Sequence, residues 1–265
     1  MGVFRLKKET DCLKTEKEGK KIVLVKKEKW GKFTSDILGL GDISRQATPR
    51  DIICAFFDLE GFTKFCNKAD SGQVIPVFLS PYLNWFFEQI RKKTKFKEYD
   101  EGIATYHDLP FLIKFLGDGL MVLWDVTDSE VKDLRNIILS ALEITENYKK
   151  DFLPIIKLEV GDPPTNLHCG IAKGTVYSVG NGDGQDYVGT CINLASRLQK
   201  LQLPGITFAF SNIGISKETF GPDESIFIKG RVDIRGIGEN VIFILRGEYD
   251  NLDKANQKKF TGKQV

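Results

Sequence analysis

The chain has 265 residues, of which 42% are hydrophobic and 28% charged, so it can bury one core of ordinary domain size with some additional elements. The net charge is only +2, which gives no argument for binding to nucleic acid or to a membrane surface. The five cysteines form no CxxC pair, the N-terminus is charged, and no segment approaches the roughly 18 apolar residues of a membrane span. These features predict a reduced, cytoplasmic protein.

Composition divides the chain into three parts. Residues 1–45 are predicted to be a lysine-rich N-terminal extension, since a lysine run is more often a solvated surface than a binding patch. Residues 46–250 hold the main domain. Beyond Gly247 we expect a polar, frayed tail that covers residues 251–265.

The apolar run at residues 52–57 predicts a strand that is buried on both faces and ends at Asp58. Residues 60–63 then predict a tight turn into a helix. Backbone amides at the start of a helix, beside a carboxylate, suit a metal-bound triphosphate, because the amides bind phosphate oxygens while the carboxylate holds the cation. From this stretch alone, a capped strand-turn-helix without a ligand is an equally good interpretation.

Apolar residues at three- and four-residue steps predict a helix over about residues 74–90 and another over residues 128–149. We expect the first helix to restart near Pro81, because proline removes a backbone hydrogen bond and bends a helix interior. A third helix is predicted from Thr190 to Leu201, after a glycine-rich loop at residues 180–184.

Residues 111–116 and 120–124 are apolar runs joined by Gly117-Asp118-Gly119, which predicts a hairpin with an acid at its tip. Residues 167–179 predict two strands with a turn at Lys173-Gly174. Later strands are predicted at residues 207–210, 225–229 and 241–245.

This order of elements predicts an α+β protein with a ferredoxin-like sheet and helices on one side of it. Asp58 and Asp118 would then lie side by side at the ends of neighbouring strands. Two carboxylates that converge on a pair of hard cations can drive in-line displacement at phosphorus. Taken alone, an acid in Gly-Asp-Gly is more often a turn former.

The most specific stretch is residues 186–197, where Asn193 and Arg197 stand four residues apart and so share one helical face. It joins Phe-Asp-Leu-Glu-Gly-Phe-Thr at 57–63, Lys-Phe-Leu-Gly-Asp at 114–118 and His-Cys-Gly-Ile at 168–171. Together these motifs resemble those of the class III nucleotidyl cyclases, the family of adenylyl and guanylyl cyclase catalytic domains. The resemblance covers roughly residues 50–245 and implies an antiparallel-rich sheet with helices packed on it, in a head-to-tail homodimer.

The resemblance implies a role for each matching residue. The carboxylates of Asp58 and Asp118 and the backbone carbonyl of Leu59 would bind two divalent cations, Mn²⁺ or Mg²⁺. The phosphates of the substrate would be bound by the backbone amides of Gly61, Phe62 and Thr63.

Lys114 and Asp186 match the pair that reads the base in this family. Asn193 resembles the residue that orients the ribose, and Arg197 the one that stabilises charge on the α-phosphate. One position departs from the pattern, because Ile237 stands where many relatives carry a triphosphate-binding lysine; Arg235 is the candidate substitute.

In this family one subunit supplies the metal half of each site and its partner supplies the base-and-arginine half. Because this chain carries both halves, the resemblance implies a homodimer with two shared active sites and a ribonucleoside triphosphate substrate.

The amino-acid sequences of these motifs are similar to those of the bacterial pyrimidine cyclases of antiphage defence, which make cyclic UMP or cyclic CMP for a separate effector. Asp186 and Lys114 can pair with adenine, cytosine or uracil, and guanine suits them worst. We expect bulky neighbours, Phe56 and Tyr187, to narrow the pocket against purines. Two alternatives remain open: an adenylyl cyclase, and an inactive cyclase-like module for dimerisation or nucleotide sensing.

Overall fold

The computed structural model describes residues 12–17, 20–25, 27, 47–68, 70–94, 96–99, 102–105, 109–180, 185–201, 203–211, 214–215, 219–220 and 226–260. The chain forms two compact units, one of residues 1–50 with 176–188 and the other of residues 51–175 with 189–265. None of the helices in the described ranges has the length and apolar character needed to cross a membrane.

The strands are β1 (Cys12–Lys17), β2 (Lys20–Val25), β3 (Pro49–Leu59), β4 (Phe96–Tyr99), β5 (Gly102–Thr105), β6 (Leu112–Phe115), β7 (Gly119–Asp125), β8 (Leu167–Val179), β9 (Asp186–Val188), β10 (Phe208–Ser211), β11 (Phe227–Ile234) and β12 (Gly238–Leu245). The helices are α1 (Phe62–Cys66), α2 (Ser71–Lys93), α3 (Val131–Asn147), α4 (Leu153–Ile156), α5 (Thr190–Leu198), α6 (Arg246–Asp250) and α7 (Lys254–Phe260), with a π-helical turn at Tyr148–Phe152 between α3 and α4.

In the smaller unit, β1 and β2 pair as an antiparallel hairpin, and the last residues of β8 pair with β9. Thr48 and Ser178 are linked by two hydrogen bonds, from the Ser178 amide to the Thr48 carbonyl and from the Thr48 amide to the Ser178 hydroxyl, each 3.3 Å long. Most of the predicted N-terminal extension and residues 181–184 of the glycine-rich loop lie outside the described residues.

In the larger unit the strands follow the order β11-β12-β10-β8-β3-β7-β6. The pairs β11–β12, β12–β10, β3–β7 and β7–β6 are antiparallel, whereas β8 and β10 run parallel. The predicted α+β class, with helices packed on a mainly antiparallel sheet, is confirmed.

The main core lies between one face of this sheet and helices α2 and α3. Phe78, Tyr82 and Phe86 of α2 are fully buried, and the rings of Phe86 and Phe57 pack 4.9 Å apart. The expected restart near Pro81 is wrong, because α2 is one helix from Ser71 to Lys93 with both prolines inside it. Burial of this aromatic stripe outweighs the roughly 3 kcal/mol that an interior proline costs a helix.

The predicted turn at Lys173-Gly174 is also wrong, since β8 is one continuous strand. A side-chain carbon at Gly174 would lie only 3.0 Å from the Cβ of Cys191 on α5, and one at Gly170 would collide with the backbone of the same helix. These glycines therefore allow α5 to approach the strand closely. Because Cys169 and Ile171 face the main core, α5 covers the opposite face, and the helices are not confined to one side.

The C-terminal prediction fails over residues 247–260. This segment contains most of α6 and all of α7, and the side chains of Leu252 and Phe260 are buried. Residues 261–265 lie outside the described range. Two buried apolar side chains in an otherwise polar stretch are too few to produce a recognisable helical period, so the docking was invisible in the sequence.

Candidate active site

Two acids meet where β3 and the β6–β7 hairpin end. Asp58 of β3 pairs with Gly119 of β7, and the Leu59 amide donates a hydrogen bond of 3.2 Å to the Asp118 carbonyl. Gly117 adopts φ = +100°, a conformation that favours glycine, and so lets the hairpin turn tightly before Asp118. The predicted side-by-side placement of Asp58 and Asp118 is confirmed.

The charge balance at this corner is unfavourable without an added cation. The side chain of Asp58 is only 16% exposed, and burial raises its pKa above the ordinary value. The nearby Asp118 raises this pKa further, whereas Lys200, whose Nζ lies 3.4 Å from Asp58 Oδ1, lowers it. A divalent cation would remove the penalty that burial and the like charge impose on Asp58.

The donors present fit such a cation. Two carboxylates and the neighbouring carbonyl of Leu59 are hard oxygen ligands of the type that Mg²⁺ and Mn²⁺ prefer. Within the described ranges, no three His, Cys, Asp or Glu side chains cluster closely enough to hold a metal. The remaining ligands would therefore be oxygens of water and of a bound phosphate, as is usual for Mg²⁺.

The turn after Asp58 leads directly into α1. Gly61 is the residue that caps this helix, with φ = 81° and no capping side chain, and the Phe65 amide makes a helical bond of 3.0 Å to the Gly61 carbonyl. Phe62 and Phe65 are buried and anchor the helix. The first amides of a helix have no partner within it, so those of Phe62 and Thr63 can bind oxygens of an anion.

A polar cluster that sequence reasoning missed supports this turn. The Glu60 amide donates to the Asn166 carbonyl at 3.0 Å, and the Asn166 side-chain amide donates to the Glu60 carboxylate. His168 Nε2 lies 3.7 Å from Glu60 Oε2, while its Nδ1 lies 3.3 Å from the Gln199 carbonyl. The cluster ties the residue that follows Leu59 to β8 and to the end of α5.

Helix α5 presents a polar face opposite its buried one. Cys191, Leu194, Ala195 and Leu198 are buried against the sheet, so Asn193 and Arg197 are exposed, one turn apart. Beyond the end of α5 lies a cavity of about 790 Å³, whose lining includes Arg197, Lys200 and Arg235. Arg235 lies in the turn between β11 and β12. Ile237 of the same turn is 40% exposed and does not line the cavity.

The two predicted base-reading residues lie in different units. Lys114 of β6 pairs with Met121 of β7, which pairs with Phe56 of β3, so the three side chains form one row on the same face of the sheet. Asp186 opens β9 in the smaller unit, where it pairs with Val179. Its Oδ1 accepts a hydrogen bond of 2.9 Å from the Tyr187 amide.

Lys200 is the residue that sequence reasoning should have found. It follows Asn193 and Arg197 at steps of four and three residues, which is the spacing of one helical face. The structure shows that this face leads from the cavity to Asp58. Among the described residues that line the cavity, Lys200 is the one that also contacts Asp58, an acid of the candidate cation site at Asp58 and Asp118, which we call the metal corner.

The model of the family "Adenylate and Guanylate cyclase catalytic domain" matches residues 45–247. Among solved structures, the adenylyl cyclase CyaB from P. aeruginosa is 19% identical over 76% of this chain and 96% of its own, with a TM-score of 0.56. The guanylyl cyclase Cya2 is 21% identical over 79% of this chain and 99% of its own, with a TM-score of 0.54. At these identities the structures show a shared fold. No curated protein matches the sequence.

Proposed function

The chain belongs to the family of adenylate and guanylate cyclase catalytic domains, and we propose that it is an active cyclase whose substrate is a pyrimidine nucleotide. It converts UTP or CTP to the 3′,5′-cyclic monophosphate and pyrophosphate. The observation that carries this proposal is the register that sets Asp58 beside Asp118, directly before the amides that begin α1. An inactive domain would have no need to keep two acids together in a half-buried place.

The residues divide the reaction between them. Asp58, Asp118 and the Leu59 carbonyl hold two divalent cations, Mn²⁺ or Mg²⁺, and Gly61, Phe62 and Thr63 bind the β- and γ-phosphates through their amides. When bound, the cations offset the charge of the triphosphate and favour ionisation of the 3′-hydroxyl.

Helix α5 supplies the other half of the site. Asn193 orients the ribose so that its 3′-oxygen faces the α-phosphate. Arg197 stabilises the charge that develops on the α-phosphate as that oxygen attacks and pyrophosphate leaves, which is where a fixed cation lowers the barrier most. Arg235 binds the triphosphate from the β11–β12 turn.

Cyclase domains of this family act as dimers on nucleoside triphosphates. We assign this chain a homodimer with two equivalent sites, in which one subunit contributes the metal corner and its partner contributes Asn193 and Arg197. Asn193 and Arg197 lie on the exposed face of α5, where a partner subunit can reach them.

The proposed base choice rests on the shape of the base pocket and on the hydrogen-bonding edge of the base. Phe56 and Met121 are buried in the row that ends at Lys114, and bulk at this position shortens the pocket by the ring that distinguishes a purine from a pyrimidine. Lys114 donates to a ring nitrogen or a carbonyl, and Asp186 accepts from cytosine N4 or uracil N3. Tyr187, next to Asp186, is the second bulky residue that we assign to the exclusion of purines.

The cyclic nucleotide serves as a second messenger in antiphage defence, produced in the cytoplasm and bound by a separate effector. This role is supported by the amino-acid sequences of three segments, at residues 58–66, 114–124 and 167–180, which are similar to those of the pyrimidine cyclases.

The test is to incubate the pure protein with each of the four ribonucleoside triphosphates and Mn²⁺, and to identify the products by mass. Cyclic UMP or cyclic CMP should form fastest. Faster cyclisation of ATP would assign an adenylyl cyclase instead, and no product from any nucleotide would assign an inactive module.

A substitution at Phe56 tests whether this side chain excludes purines from the base pocket. Phe56→Ala should raise the rate with ATP relative to UTP by about tenfold, since a misfit of even one methylene in an apolar pocket is worth about 1–3 kcal/mol of discrimination. Phe87→Ala removes an exposed phenylalanine of α2 and serves as the control. An unchanged ATP-to-UTP ratio in Phe56→Ala would remove Phe56 from the base pocket.

A further inference from the structure

The C-terminal helix α7 lies beyond residue 247, where the match to the cyclase family model ends. It packs on β11 through Phe260, which is fully buried. The ring of Phe260 occupies the space beside Gly230, where a side-chain carbon on β11 would collide with it. Helix α7 is therefore held in one place on the sheet by a contact that only glycine at position 230 permits.

This docking brings Lys259 to the wall of the cavity that Arg197, Lys200 and Arg235 also line. Lys259 Nζ donates a hydrogen bond of 3.2 Å to the side-chain carbonyl of Asn256, which is a neutral group. Four cations thus surround one concave space, and they come from the end of α5, the β11–β12 turn and α7.

Among the described residues that line this cavity, Asp233 is the single acid. The lining therefore carries a surplus of positive charge in a concave space, where low-dielectric walls concentrate the field. Such a surplus attracts anions into the cavity. The ligand chemistry that matches several separate cations around about 790 Å³ is an extended polyanion such as a polyphosphate.

We propose that Lys259 is a polyphosphate-binding residue, which supplies from α7 the cation that Ile237 does not provide. The assignment rests on the proposed cyclase function, because it identifies the polyphosphate as the triphosphate of the substrate and the pyrophosphate product. It also accounts for the departure at Ile237, which directly follows the lining residue Gly236, since Lys259 brings a cation to the cavity that this turn borders.

The test measures binding of inorganic tripolyphosphate by calorimetry in EDTA, so that neither a base nor a metal contributes. Lys259→Met removes the charge and keeps the length of the side chain. It should weaken binding about tenfold, because a hydrogen bond to a charged group contributes more than a neutral one. Lys259→Arg keeps the charge and should bind within about twofold of the wild type.

Lys258→Met is the matched control. Lys258 is the preceding residue on the same helix, and it is exposed and does not line the cavity, so its loss removes the same net charge from the protein. Binding by Lys258→Met should equal that of the wild type. Equal loss in both variants would mean that only net charge matters, and no loss in Lys259→Met would overturn the proposal.

A second variant restores the lost positive charge at position 237 instead of position 259. Ile237→Lys, placed in the Lys259→Met background, should recover tripolyphosphate binding if the two positions serve the same cavity. No recovery would contradict the substitution of Lys259 for a lysine at position 237.

These readouts are independent of turnover. If no nucleotide is cyclised and Lys259→Met still loses tripolyphosphate binding, the proposed function fails while the polyphosphate site stands. If cyclisation proceeds with the same KM and the same tripolyphosphate affinity in Lys259→Met, the site fails while the function stands.

Discussion

The metal corner and the cationic cavity are built in different ways. The metal corner comes from two neighbouring strands, and its acids are fixed by one register, in which Asp58 pairs with Gly119. The cationic cavity is assembled from α5, the β11–β12 turn and α7, which are separated along the chain and meet only in the folded protein. Backbone pairing therefore positions the acids, whereas packing of side chains positions the cations.

Lys200 connects the two regions, because it lines the cavity and approaches Asp58 to 3.4 Å. We therefore expect three differences between the metal corner and the cationic cavity. Changes at the acids should abolish catalysis without unfolding the protein. The two regions should be separable between subunits. Finally, Lys200 should affect both regions, but weakly.

The largest effect is expected at the metal corner. Asp58→Ala and Asp118→Ala should each reduce kcat/KM by at least about a thousandfold, since the metal contributes several kcal/mol to stabilising the transition state. Activity is measured with the nucleotide that gives the fastest wild-type rate. Asp128→Ala, which removes an exposed acid before α3, is the control and should stay active.

The stability of Asp58→Ala follows from the pKa of Asp58. Because burial raises this pKa in the folded protein, the protonated acid is favoured there, and the contribution of Asp58 to stability is lost as the pH rises from the unfolded to the folded pKa. At pH 7 the ionised group is therefore destabilising, and Asp58→Ala should have a Tm no lower than the wild type. A marked drop in Tm, together with lost activity, would instead indicate a structural role.

The same contrast explains what could be predicted from the sequence. The acid pair was predictable because an apolar strand and a Gly-Asp-Gly hairpin are local patterns whose register follows from strand pairing. Gly174 misled the prediction, since a glycine that accommodates Cys191 of α5 leaves the same local pattern as one that forms a turn.

Lys200 was within reach, because helical spacing from Arg197 points to it. Lys259 was not, because its place depends on Phe260 packing beside Gly230, a contact between distant segments that no periodicity records. The predicted frayed tail was wrong for the same reason. Packing between remote segments of the chain thus sets the part of the site that a single sequence does not reveal.

The next effect tests whether the two regions act from different subunits. Asp58→Ala and Arg197→Ala are each expected to be inactive as pure homodimers. After unfolding and refolding of an equal mixture, about a quarter of the wild-type activity should return, because half of the dimers are mixed and each has one of two sites intact. Co-purification through two different tags isolates the mixed dimer, which should reach about half of the wild-type activity.

A mixture that stays inactive, although the two tags co-purify, would place both lesions in the same site of one subunit. Lys200 gives a structural reason for that outcome, since it contacts Asp58 and also lines the cavity beside Arg197 within one chain. Asp58→Ala mixed with Asp118→Ala is the control, because both lesions lie in the acid pair, so every dimer lacks an intact pair and the mixture should stay inactive.

The smallest effect is expected at Lys200, and its sign differs between the two regions. In the absence of nucleotide, the Lys200 ammonium lies where it opposes a second cation beside Asp58. Lys200→Met should therefore tighten the binding of Mn²⁺, measured by electron paramagnetic resonance. Because the side chain of Lys200 is 60% exposed, solvent screens the pair, and the gain should not exceed about fivefold.

In the cavity, the same change removes one of four cations, so the affinity for tripolyphosphate should fall. Lys157→Met, at an exposed lysine just after α4, should alter neither affinity. Opposite changes in the two affinities would show that Lys200 opposes cation binding beside Asp58 and favours polyphosphate binding in the cavity. A loss of both affinities would show instead that Lys200 only maintains the structure between the metal corner and the cavity.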